Sequence, residues 1–194
     1  GTGFLVLEAS RELALRSLPA EMAGTDTVAP VVAESGGSPF FIGELAGHIV
    51  REGGVAAALS LPAVLAAHLR ALGEAAVALL EITALAGQPL TAAVLLKASG
   101  ATRDALDELR GRHLLRRSSA EGDDMLECYH DRIREMVTQR LSDAVINGRY
   151  HALANVLLKR DDADPELLAA CLIGSGRSLL AAHYVAVAAD RAAQ

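Results

Sequence analysis

Tryptophan is absent from these 194 residues, and three Phe and three Tyr bring the aromatics to only 3%. Cysteine is almost as scarce. Cys128 and Cys171 match no metal-ligand or redox spacing, which makes a reducing cytoplasm the default and both thiols small buried apolar residues. A basic excess is lacking too: 18 Lys and Arg stand against 24 Asp and Glu, a formal charge of −6. That balance argues against nucleic-acid binding by bulk electrostatics. No apolar run has the length and purity of a membrane-spanning helix. The longest, Ala75 to Gly87, is interrupted by Glu81 and Thr83. The chain opens Gly1-Thr2-Gly3 without an initiating Met or a signal-peptide pattern, so it reads as a piece of a longer protein.

Signs of an independent active site are missing as well. His48, His68, His113, His151 and His183 are scattered, with no H-E-x-x-H pair to hold a metal. No serine sits in a G-x-S-x-G elbow, and Gly174-Ser175-Gly176 reads as a turn. Glu127, Asp131 and Glu135 offer carboxylates, but nothing marks them as a catalytic couple.

What is present is helix-forming sequence. Hydrophobic residues make up 52% of the chain, much of it alanine, with few β-branched runs, and the expected fold class is mainly α. Phe4 to Leu7 suggests a short buried strand, Glu8 to Leu18 a helix, and Met22 to Pro30 a connector before a helical turn at Val31 to Glu34. A helix over roughly Phe40 to Glu52 ends at Gly53-Gly54. Pro62 to Leu72 follows as a helix, with Val64, Leu65, Leu69 and Leu72 on one face. Glu74 to Ala86 is apolar nearly all round, which calls for a central, buried helix. Short helices over Leu90 to Ser99 and Thr102 to Gly111 come next, the second capped by Thr102. The period then changes. His113 to Arg117 and Met125 to Tyr129 read as strands joined by the polar turn Ser118 to Asp124. Three helices and a two-stranded hairpin give the order of a winged helix. Asp131 is expected to cap a helix carrying Ile133, Met136, Val137 and Leu141, and paired helices fill the remainder to Ala193.

Two junctions in this layout carry helix-starting chemistry. Gly36-Gly37-Ser38-Pro39-Phe40-Phe41 offers Ser38 as an N-cap and Pro39 at the first helical position, where its missing N–H costs nothing. About ninety residues later, Cys128-Tyr129-His130-Asp131-Arg132-Ile133 sets an imidazole where a strand hands over to a helix, beside amides that can face an anion.

In sequence and order these pieces resemble the signal-transduction ATPases with numerous domains, the STAND class. Glu34 to Leu45 is similar to that class's "GGNPFF…EL" lid motif, with Ser38 where Asn is usual. Leu61-Pro62-Ala63-Val64-Leu65 and Leu69-Arg70-Ala71-Leu72 resemble the opening of its winged helix. Leu106, Leu109 and Leu114-Leu115-Arg116 fit the passage into the wing, and His130-Asp131-Arg132-Ile133-Arg134-Glu135 matches "HDxIRE".

The resemblance implies three parts: the end of an ATPase core with its helical lid over 1–58, a winged helix over 59–141, and the start of a tetratricopeptide-like arm over 142–194. It implies that ADP or ATP with Mg is held mainly by an upstream domain of the same protein. Pro39, Gly37 and Ser38 would then lie at the adenine, and His130 at the β-phosphate with Asp131 fixing its loop. These residues contain no G-x-x-x-x-G-K-[ST] and no apolar run ending in paired acids, so ATP hydrolysis by this stretch alone is not expected. An effector domain, such as a serine/threonine kinase or a transcription regulator, or a partner protein engaged through the arm, completes the implied assembly; homo-oligomers are a further implied partner.

Blander readings stand beside these. His130 can be a helix-capping histidine, Pro39 an ordinary first-turn proline, and Gly36-Gly37 a relief of backbone strain. Arg110, Arg112, Arg116 and Arg117 form a basic cluster that reads as a solvated edge. The third winged-helix segment sets Asp104, Asp107 and Glu108 against Arg103 and Arg110, so direct DNA binding by it is not expected. A nucleotide-independent, all-α interaction adaptor is the rival function, and a DNA-binding regulator the weaker third.

Overall fold

A computed structural model describes residues 2–53, 59–118 and 124–192. The described part is mainly α, with eleven helices and a small antiparallel sheet. The chain divides into two compact units, Gly1–Ala71 and Leu72–Gln194.

The first unit holds α1 (Thr2–Ser17), α2 (Thr25–Ser35), α3 (Pro39–Arg51) and α4 (Leu61–Arg70). The strand expected at Phe4 to Leu7 is instead the first turns of α1. A short apolar run does not distinguish strand from helix by periodicity, and nothing between Thr2 and Ser17 breaks a helix. Leu7 is 54% exposed, not buried; the side chains before it lie outside the described residues. The connector expected from Met22 to Pro30 is shorter than it looked, because α2 begins at Thr25 and takes Pro30 inside it. Pro30 has no N–H to give the Asp26 carbonyl, yet Val28 and Val31 on either side are buried and hold the helix against the core. On α3, Phe41, Ile42, Leu45, Ala46 and Ile49 form the buried stripe against which α1 and α2 pack. Gly53 takes φ +77 after α3, as a helix-stopping glycine does, while Gly54 lies outside the described residues.

In the second unit α5 (Glu74–Ala86) lies at the centre, in contact with α6 (Ala92–Ser99), α7 (Arg103–Gly111), α8 (Asp131–Thr138) and α9 (Asp143–Leu157). Its buried residues Ala76, Ala78, Leu79, Leu80, Ile82, Thr83 and Ala84 go round the helix, and the Thr83 hydroxyl is satisfied by the Leu79 carbonyl at 2.8 Å. Glu81 meets Arg149 of α9 at 2.7 Å.

The hairpin expected from the sequence gains a third strand. β1 (Leu90–Thr91) pairs with β3 (Met125–Cys128), which pairs with β2 (Leu115–Arg117), in the order β1-β3-β2 and antiparallel throughout. Leu90 faces Leu126 and Leu115 faces Cys128. Leu90 therefore belongs to a strand and not to α6, whose cap is Thr91, accepting from the Val94 amide at 3.3 Å. Two residues carry too little period to announce a strand; the ladder with β3 makes it one. The middle of the turn, 119–123, lies outside the described residues.

Helices α9, α10 (Pro165–Gly174) and α11 (Ser178–Ala192) complete the unit. Asp164 caps α10 by accepting from the Glu166 and Leu167 amides. Tyr150 of α9 lies across Gly174 so closely that a Cβ added there would overlap the ring. The Tyr150 hydroxyl donates to the Leu85 carbonyl of α5 at 3.4 Å, so one side chain joins three helices.

That contact makes a test. Gly174→Ala should destabilise the chain by about 1–3 kcal/mol in urea unfolding. In a Tyr150→Ala background the same change should cost far less, since the ring it strikes is gone.

Candidate functional site

Each motif junction is built within its own unit. In the first, Gly36 ends α2 in the left-handed region (φ 59, ψ 25) and its N–H returns to the Ala33 carbonyl. Gly37 follows at φ +80. Two consecutive residues at positive φ explain the pair of glycines. Ser35, 1% exposed, stabilises the turn: its hydroxyl donates to the Val32 carbonyl at 2.9 Å and accepts the Gly37 N–H at 3.2 Å. Ser38 holds the N-cap position of α3 (φ −74, ψ 120), but its hydroxyl makes no capping bond. Ser35 serves the end of α2 and the turn, not the first amides of α3. Pro39 is the first residue of α3 and is exposed.

Two further side chains tie this junction to α4, and sequence reasoning missed both. Glu34 accepts the Leu61 amide at 2.8 Å, adding to the Ser60 cap of α4, and Glu44 meets His68 at 3.2 Å. Separations of 27 and 24 residues leave no local signal for either.

At the second junction, the Tyr129 N–H is held by the Leu114 carbonyl at 3.0 Å, and the Tyr129 ring meets that of His113 edge-on at 5.3 Å. His130 is extended (φ −149, ψ 144), exposed, and is itself the N-cap of α8. Its Nδ1 accepts the Arg132 backbone N–H at 3.2 Å, and its carbonyl accepts from Ile133 at 2.9 Å. The cap expected of Asp131 thus falls one residue earlier. Asp131 is the first helical residue, exposed, where its charge favours the positive end of the helix. The cause is backbone geometry: the turn from extended to helical φ/ψ occurs after His130.

Beside this junction a small cleft of about 60 Å³ is lined by Gly87, Gln88, Arg116, Glu127, Asp131 and Arg134, with Thr83 and Cys128 beneath. Arg116 pairs with Glu127 at 3.0 Å. Arg110 pairs with Asp107 at 3.3 Å and Arg112 with Glu108 at 2.9 Å, so three of the four arginines in the basic cluster already carry a carboxylate. Each is a partly exposed pair, worth little to stability but enough to lower the local positive field.

The five sequence-derived site residues fall into two groups. Gly37, Ser38 and Pro39 are contiguous at the start of α3; His130 and Asp131 are contiguous at the start of α8. Among the described residues no cluster of three His, Cys, Asp or Glu is placed to hold a metal ion, and no helix is long and apolar enough to cross a membrane. No family model matches the chain, and neither a curated protein nor a solved structure matches it.

Cys171 is buried as expected, whereas Cys128 is only half-buried; desolvation raises both thiols. Cys128 is pushed up to about 12, chiefly by desolvation, with Arg134 opposing and Glu127 and Asp131 adding to the rise. Cys171 is likewise pushed up to about 12 by desolvation. The folded chain keeps both protonated where the unfolded chain, near 9.0, would lose them. Their contribution to stability is therefore complete below pH 9.0 and is lost as pH rises towards about 12. Two outcomes follow for thiol labelling: the native chain at mildly alkaline pH should react many times more slowly than the urea-unfolded chain, and unfolding midpoints should fall across that alkaline window.

Proposed function

We propose that this chain is a regulatory portion of a signal-transducing ATPase of the STAND class, supplying lid and ADP-sensor contacts and passing the nucleotide state to an effector. The reading rests on the resemblance of the GGSPFF and HDRIRE segments. The observation that supports it best is His130: an exposed imidazole standing at the N-terminus of α8, where amides and helix dipole favour an anion. The donor set suits a nucleotide. His130 offers a ring N–H for a phosphate oxygen, and Pro39 offers an exposed apolar ring edge for a base.

In this reading ADP or ATP, with Mg, is held mainly by an upstream nucleotide-binding domain of the same protein. ADP favours a closed, resting arrangement through differential contacts with these junctions, and exchange for ATP shifts the population away from it. The parent protein is cytoplasmic, and its effector is a kinase, a transcription regulator or a partner protein reached through the arm. The pairing of Arg110, Arg112 and Arg116 with carboxylates supports a winged helix that does not itself bind DNA.

A second reading has its own observation. Leu179 is 97% exposed, Ile173 56% and Val185 48%, apolar surface of the kind an interaction module uses for a partner or another copy. In that case the chain is a mainly α adaptor that needs no nucleotide.

ADP titration by calorimetry decides between them, using the chain extended upstream through a phosphate-binding domain. The sensor reading expects His130→Ala to weaken ADP at least tenfold, the loss of one charge-assisted hydrogen bond of about 1.5–3 kcal/mol. Pro39→Ala should weaken it less. No ADP binding by the wild-type protein gives the adaptor reading the field.

A further inference from the structure

Apart from the two junctions, the first unit carries a cavity of about 290 Å³ between α1 and α2. On the α2 side it is lined by Val28, Ala29, Val32 and Ala33, whose spacing puts them on one helix face. Val28, only 3% exposed, is the floor. Ala29 and Ala33 are exposed, and their short side chains leave the groove open where longer ones would close it. Leu7 of α1, 54% exposed, is the facing apolar wall.

Helix α1 also sets two charges on the rim. Glu8 and Arg11 both line the cavity and both are exposed. They stand at i and i+3, the spacing at which helix side chains are neighbours. Asp107 and Arg110, at the same spacing on α7, meet at 3.3 Å. Glu8 and Arg11 do not meet, and neither has a hydrogen-bond or ion-pair partner among the described residues. An acid and a base thus stand apart over an apolar cavity. Small-molecule sites share this make-up: apolar walls, a few polar groups that fix orientation, and volumes from about 300 Å³ upward. The size here, at the bottom of that range, suits one small molecule. A fatty carboxylate would satisfy Arg11 but bring a like charge to Glu8, and an apolar amine would do the reverse. A molecule with an ammonium and a carboxylate on one carbon, and an apolar chain, answers both.

We propose that this cavity binds a free apolar α-amino acid, of the leucine or phenylalanine type. Its ammonium meets Glu8, its carboxylate meets Arg11, and its side chain lies over Val28 between Leu7 and Ala29. The site is built inside the first unit and does not depend on the nucleotide reading. Because the ligand touches both helices, its binding holds α1 to α2 and stabilises the first unit by mass action.

Leucine titrated into the 194-residue chain should shift the backbone amides of the α1–α2 groove with a dissociation constant of about 1 mM. 4-Methylpentanoate lacks the ammonium and 3-methylbutylamine lacks the carboxylate, and each should bind about threefold more weakly. Glu8→Gln should erase leucine's advantage over the acid, and Arg11→Gln its advantage over the amine. Both side chains are exposed, so neither change disturbs the fold. Ala29→Phe, which fills the cavity from an exposed position, should abolish binding of all three. No shift with leucine or phenylalanine at about 10 mM, or shifts that survive Ala29→Phe, overturn the proposal. 4-Methylpentanoate binding as tightly as leucine overturns it in favour of a fatty-acid site. Shifts produced only by an amphipathic helical peptide overturn it in favour of a protein-docking groove.

Discussion

The second unit depends on burying α5 on nearly every side. A helix of Ala, Leu, Val and Ile with no polar face is stable only when other elements cover it. The covering is done by α6, α7, α8, α9 and β3. Each large side chain taken fully from water contributes about 1.5–3 kcal/mol, and Leu79, Leu80 and Ile82 are all buried to 1% exposure or less. Beyond the exposed Glu74 in its first turn, the two polar side chains of this helix are both satisfied. Thr83 folds its hydroxyl back to its own backbone, and Glu81 is met by Arg149. Everything around α5 is positioned by the need to cover it, including the strand that delivers His130 and the helix that follows.

Both junctions illustrate how a fold places side chains by satisfying backbone groups. At Gly36-Gly37, a buried serine and two residues at positive φ turn the chain from α2 into α3. At His130, a ladder bond holds the residue before it and the imidazole itself closes the start of α8. The same helix-end chemistry is thus met by different groups: a serine hydroxyl before the turn in one case, a ring nitrogen at the cap in the other. A capping histidine is less common than Ser, Thr, Asp or Asn, and using a titratable aromatic ring there commits one of its nitrogens.

Much of this was legible in the residues. The apolar run of Glu74 to Ala86 announced a central helix, Thr102 announced the start of α7, and the change of period at Met125 to Tyr129 announced the strand observed over Met125–Cys128. Where the reading failed, local pattern was too short or was overridden. Phe4 to Leu7 reads as a strand in isolation and is helical because it continues α1. Pro30 reads as a boundary and is not one, because buried valines on either side outweigh one lost hydrogen bond. Leu90 and Thr91 form a strand only through β3, Leu90 pairing with Leu126 from 36 residues away. Asp131, the better capping residue by type, yields to His130 because the backbone turns one residue sooner.

By itself, then, the sequence determined the class of fold, most of its helices and the residues that stand at both junctions. Helical period, capping residues and glycine stops are local properties that survive without a folded chain. Only the tertiary structure decided which groups those junctions use: Ser35 bracing the glycine turn, Nδ1 of His130 in place of Asp131, Glu34 reaching the amide of Leu61, and Arg149 answering Glu81. The reason is distance along the chain. A hydrogen bond or ion pair between residues tens of positions apart forms because packing brings them together, and no spacing in the sequence encodes that approach.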